Sequence, residues 1–161
     1  MANTDILIAE DDAVLREVYT KKFTLSGYTI RTAQNGEEAI AEIQKKEPDI
    51  LILDINMPIL DGFGVLEKHP KEGRKFPIIM LTNFGDDKNK ERGQALGADD
   101  YFIKSEMTIR KLLEMVETLL KAKQYWAEKQ YIFLSYKLSE EQILYQILFR
   151  RGIMVRYPQW N

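Results

Sequence analysis

A chain of 161 residues, 45% of them hydrophobic, is about one domain's worth of sequence with enough apolar surface for a core. It has no cysteine and one histidine, His69, which excludes disulfides, thiolate or imidazole metal clusters and a thiol nucleophile, and leaves carboxylates, hydroxyls and lysines to carry any chemistry. With 23 basic and 25 acidic residues the formal charge is −2, too small for wholesale attraction to nucleic acid or anionic lipid, and the start MANTDILIAEDD with no run of about 18 apolar residues anywhere predicts a soluble cytoplasmic protein.

Apolar runs alternate with helix-like segments five times. The first run, Ile6 to Ala9, leads to Asp12, which can cap a helix with Leu15, Val18 and Tyr19 on one face and Gly27 at its C-terminal end. After the second run, Tyr28 to Ala33, Asn35 and Gly36 open a helix lined by Ala39, Ile40 and Ile43 and closed off by Pro48. The third run, Ile50 to Leu53, precedes a short helix after Gly62. The fourth, Ile78 to Leu81, precedes a helix from about Asp87 to Leu96 that ends at Gly97. The fifth, Tyr101 to Ile103, precedes a helix from near Thr108 with Ile109, Leu112, Leu113, Val116, Leu119 and Leu120 on one side. ILIL and IIML are apolar at every position, as strands buried on both faces of a parallel sheet should be. The expected architecture is α/β: a doubly wound, five-stranded parallel (βα)5 sheet, flavodoxin-like, in strand order 2-1-3-4-5.

In such sheets ligands sit beyond the carboxyl ends of the strands. Those positions hold Glu10 and Asp11, Asp54, Thr82 and Lys104. Strands one and three are neighbours in this order, so three carboxylates meet in one cleft, where they repel unless protonated or bridged by a cation. Hard oxygen ligands without nitrogen or sulfur suit Mg2+.

The segments AEDD, DINMPILDG, LTN and GADDYFIKS, in order at four successive strand ends, resemble the receiver domain of bacterial two-component response regulators over residues 4 to 123. The resemblance implies a phosphoacceptor signalling protein rather than an enzyme, with Asp54 taking a phosphoryl group from a histidine kinase or phosphotransfer protein. It implies Mg2+ held by Glu10, Asp11, Asp54 and the backbone carbonyl of Asn56. Thr82 would bond the phosphoryl oxygen, Lys104 would pair with it, and Thr82 and Tyr101 would form the switch. Pro58 and Gly62 shape the loop beyond Asp54. Two positions depart from the pattern. Ser105 stands where a proline after a typically cis bond is usual, which leaves the position of Lys104 open, and Asn83 is larger than the usual alanine or glycine and narrows access to the phosphoryl group.

Plainer roles account for other residues. Asp12 reads as a helix cap, Asp99 and Asp100 as a solvated turn, His69 as a surface residue, and Met57 and Met80 as packing. Two other functional classes compete. A pseudo-receiver scaffold would not need Glu10, Asp11, Asp54, Thr82 and Lys104 all intact. A phosphatase of the haloacid dehalogenase type needs a second aspartate two residues after the nucleophile, where Asn56 stands.

The composition changes near Tyr125, which divides the chain into a receiver domain over 1–124 and an extension over 125–161. The extension holds nine of the seventeen aromatic residues, with 5 basic against 3 acidic side chains. Ser139 to Gln142 reads as a capping box opening a helix with Ile143, Leu144, Ile147 and Leu148 on one face, closed by Gly152. A stretch this apolar is expected to dock, either on its own receiver or in a homodimer or downstream protein contact. Nucleic acid is the weaker alternative partner, and no membrane is expected.

Overall fold

Each apolar run is a strand, and each strand leads into a helix. The computed structural model describes residues 4–83, 87–106 and 108–135, with side chains as far as Lys129. The strands are β1 (Asp5–Ala9), β2 (Thr29–Ala33), β3 (Ile50–Asp54), β4 (Ile78–Thr82) and β5 (Asp100–Ile103). Between and after them come α1 (Ala13–Leu25), α2 (Gly36–Lys45), α3 (Gly62–Lys68), α4 (Asp87–Ala95) and α5 (Ile109–Ser135). All pairings are parallel, in the order β2-β1-β3-β4-β5. This is the expected flavodoxin-like sheet.

β1, β3 and β4 are buried at every position because helices cover both faces. Alternation along the strands divides the core in two. Leu7, Ala9, Leu51, Leu53, Ile78 and Met80 face α2 and α3, packing with Ala39, Ile43, Phe63, Val65 and Leu66. Ile6, Ile8, Ile50, Ile52, Ile79 and Leu81 face α1 and α5, packing with Tyr19, Phe23, Leu112 and Val116. Truncating any one of the central residues, Leu51 for example, costs about 2–5 kcal/mol.

The helix ends follow the expected chemistry. The Asp12 carboxylate accepts from the N–H groups of Val14 and Leu15, and Asn35 Oδ1 accepts from Glu38 N. Gly27 follows α1 at φ 91°, a conformation that favours glycine. The buried stripe of α1 is Leu15, Tyr19 and Phe23, four residues apart. Val18, expected on that face, is exposed, because it lies about 100° around the helix from Tyr19.

Two partly buried charge networks near the amino ends of the strands had no visible sequence pattern. Asp5, on β1, is paired with Arg31 and Lys46. Arg74, almost wholly buried, donates to the carbonyls of His69, Phe76 and Gly97 and pairs with Asp99. Asp99 also accepts from Ile78 N, so it is an anchor for the start of β4 and not a merely solvated turn. His69 is likewise half-buried at the end of α3, its Nδ1 3.0 Å from Val65 O, rather than a free surface residue.

The residues of α5 as far as Lys121 belong to the sheet unit, and those from Ala122 to a second unit. In the second, Tyr125 and Trp126 are exposed and meet edge to face at 5.7 Å, with the Lys129 ammonium 5.6 Å from the Tyr125 ring. The capping box at Ser139 and the helix expected after it lie outside the described residues. Among the described residues no helix is long and apolar enough to cross a membrane.

Candidate functional site

The carboxyl ends of β1 and β3 lie side by side in register, Ala9 opposite Leu53. The next residues outward carry the acids. Carboxylate oxygens of Glu10, Asp11 and Asp54 lie within 4.8 Å of one another. Glu10 and Asp54 are buried, while Asp11 is exposed and opens the cluster to solvent.

Lys104, just beyond β5, reaches across the sheet to both buried acids. Its Nζ is 2.7 Å from Glu10 Oε2, 3.0 Å from Glu10 Oε1 and 3.0 Å from Asp54 Oδ2. The Lys104–Ser105 bond is trans. Ser105 Oγ donates to Asn83 O at 3.1 Å and Lys104 N donates to Thr82 O at 2.8 Å, so the loops after β4 and β5 are tied together beside the cluster. These bonds fix the lysine where the usual proline is missing.

Burial raises the Glu10 carboxyl to about 7, with Lys104 pulling against it and the Asp54 charge adding to it. Burial also raises Asp54, opposed by Lys104 and by the Asn56 N–H. Tyr19, packed under the same corner, is pushed up to about 12, by burial first and then by the charges of Glu10 and Asp54. One ammonium therefore serves two buried carboxylates incompletely. Asp54 Oδ1 is buried with no hydrogen-bond partner among the described residues. An orphan oxygen beside an all-oxygen donor set is what a hard divalent cation fits.

Thr82 ends β4 and is buried. Its strand neighbour Leu81 is paired with Asp54, and Thr82 itself with Ile103. Tyr101 pairs with Met80, so by alternation Thr82 and Tyr101 belong to the α4 side of the sheet, whereas Asp54 belongs to the α1 side. Tyr101 is already turned inward, 8% exposed, against the bare α carbon of Gly93, where a Cβ would stand 3.1 Å from its ring. Beyond Asp54 the loop closes tightly. Gly62 sits where a Cβ would be 2.3 Å from the Asp54 carbonyl, and Ile59 adopts a left-handed φ of 68° while 74% exposed. Arg16, whose guanidinium donates to the carbonyls of Glu10 and Asp11, is a residue at this corner that the sequence pattern did not mark. Its only signal there is its place one turn into the helix that follows the acidic pair.

Comparison with known proteins identifies the family and the fold. The family model for the response regulator receiver domain matches residues 6–117. The chain is 35% identical over 159 residues to "Probable transcriptional regulator ycf27" of Cyanophora paradoxa, covering 94% of this chain and 64% of that one. It is 36% identical over 102 residues to the alkaline phosphatase synthesis transcriptional regulatory protein PhoP of Bacillus subtilis, covering 63% of this chain and 42% of that one. The chain thus spans less than two thirds of the length of these curated relatives. Among solved structures, a CheY-like receiver domain protein from Methanospirillum hungatei JF-1 superposes with a TM-score of 0.72 at 27% identity, over 77% of this chain and 98% of that one. The receiver domain of the Francisella response regulator 1452 gives 0.70 at 32% identity, over 74% and 98%.

Proposed function

The chain belongs to the response regulator receiver domain family of two-component systems, and on that footing we propose that Asp54 is its phosphoacceptor, loaded by a histidine kinase or phosphotransfer protein. The observation that carries this reading is the convergence of Glu10, Asp11 and Asp54 under the shared ammonium of Lys104. An Asp54 oxygen bonds to phosphorus as the phosphorus–nitrogen bond of a phosphohistidine breaks; the electron pair stays on the imidazole, which takes a proton from water. A carboxylate needs no base to attack, but its charge and the phosphoryl group's must be offset. Mg2+ held by Glu10, Asp11, Asp54 and the Asn56 carbonyl would supply that neutralisation. Lys104 exchanges part of its hold on Glu10 for a phosphoryl oxygen, and the Thr82 hydroxyl donates to another. Because Tyr101 already lies inward, phosphorylation strengthens that position rather than creating it.

The protein is on this reading a signalling acceptor, at most hydrolysing its own acyl phosphate, and residues 125–161 carry its output by protein contact. Incubation with a small phosphodonor and Mg2+, followed by intact-mass measurement, should add one phosphoryl group that Asp54→Asn does not take up. Equal labelling of that variant refutes the assignment, and no labelling of the wild type makes the chain a pseudo-receiver. A second reading, control of transcription, is favoured by the names of the curated relatives and by the alignment that spans 94% of this chain. Loss of a sequence-specific DNA gel shift on removal of residues 125–161 would support it over protein contact.

A further inference from the structure

Successive residues of an extended strand point to opposite faces. Glu10 and Asp11 are successive, yet both bring oxygens into one cluster with Asp54. The backbone must therefore turn between them, and carbonyls at such a turn leave the ladder of the sheet and need donors from elsewhere. One side chain provides them: Arg16 Nη1 is 2.7 Å from Glu10 O and 3.1 Å from Asp11 O. The rest of the loop is fixed on either side of it. Glu10 N donates to Ala33 O of β2, and the Asp12 carboxylate holds the first N–H groups of α1.

We propose that Arg16 is a positioning residue that holds the acidic loop in the shape presenting Glu10 and Asp11 to a divalent cation. This rests on the reading of those carboxylates as the Mg2+ site. The guanidinium is suited to the task because its fork geometry is planar and its charge permanent, so two hydrogens of one nitrogen can serve two carbonyls in a fixed direction. A lysine keeps the charge and loses the fork.

Charge and positioning make opposite predictions. Arg16 is a cation beside a cation site, so if its charge were all that mattered, removing it would tighten Mg2+ binding. If it positions the loop, removal loosens binding, and groups that orient metal ligands from behind are typically worth 10–100-fold in metal affinity. The test is calorimetric titration with Mg2+ alone of the wild type, Arg16→Met and Arg16→Lys, beside urea unfolding of each without metal. Arg16→Met should bind Mg2+ about tenfold more weakly, with Arg16→Lys between it and the wild type. Unchanged or tighter binding by Arg16→Met overturns the proposal, including the case where only its urea midpoint falls, since that is the mark of a merely structural arginine. Should Arg16→Met not fold, Arg16→Lys decides, and an affinity equal to or above the wild type's is the refuting result. A wild type with no measurable Mg2+ affinity removes the metal reading as well, and so separates the two failures.

Discussion

Replacing Lys104 with methionine removes the one ammonium that two buried carboxylates share, and the consequence should depend on pH and on metal. The Lys104 side chain is 8% exposed and within 3.0 Å of both Glu10 and Asp54. Breaking a buried pair by deleting one partner generally costs about 3–5 kcal/mol, because the remaining charge is left without compensation. Here the cost has an outlet, since Glu10 titrates near 7 even with the lysine present. A carboxyl raised from 4.5 to about 7 is protonated more readily in the fold than in the unfolded chain. Its favourable contribution is thus full below the unfolded value and is lost as pH rises through about 7, a swing on the order of 3 kcal/mol. Lys104→Met raises Glu10 and Asp54 further. In urea unfolding without metal, the variant should fall about 3–5 kcal/mol below the wild type near pH 8, and the gap should narrow markedly near pH 5.5. Mg2+ should then stabilise the variant more than the wild type, because no ammonium competes for the same oxygens. A deficit of equal size at both pH values, with no larger gain from Mg2+, would refute the shared-ammonium account.

Two further outcomes follow from the loop beyond Asp54. Gly62→Ala places a Cβ 2.3 Å from the Asp54 carbonyl, which is backbone and cannot swing aside, so the loss should reach about 3 kcal/mol in urea unfolding; a neutral substitution would mean that this turn is looser than described. Ile59→Gly should do the reverse, raising the unfolding free energy by about 1 kcal/mol in urea titration, because it relieves a β-branched residue held at φ 68° and, at 74% exposure, gives up little buried surface.

The parts of this structure that were legible in the sequence are those written in local pattern. β1, β3 and β4 were visible as apolar runs, because a strand covered on both faces leaves no room for polar alternation, whereas the edge strands β2, TIRTA, and β5 showed it only in part; Asp12 and Asn35 announced their helices by cap chemistry. The cleft was legible through topology, since strand ends and strand order alone put Glu10 and Asp11 beside Asp54. What escaped was interaction without period. Arg74 with Asp99, Arg31 with Asp5 and Arg16 with two carbonyls join residues at spacings no template contains. Asp99 and Asp100 look alike as neighbours in a turn, yet one anchors β4 and the other is exposed, and only the partner's position separates them. Val18 escaped for a smaller reason: the position of the stripe on α1 is set by Tyr19 and Phe23, one turn apart, rather than by the first apolar residues of the helix.

The interleaved strand order has a consequence for how a chain matures. β1 precedes the other strands of this sheet in the chain, but one of its two neighbours, β3, follows only after β2 and two helices, and the ammonium beside Glu10 lies 94 positions downstream. Folding that begins before β5 is available gathers the acids first and their counter-charge last. A product cut before β5 therefore carries an unbalanced corner and a missing edge strand together. Completion of the sheet and completion of the site are one event, so partial copies of this chain are marked as incomplete by their own electrostatics.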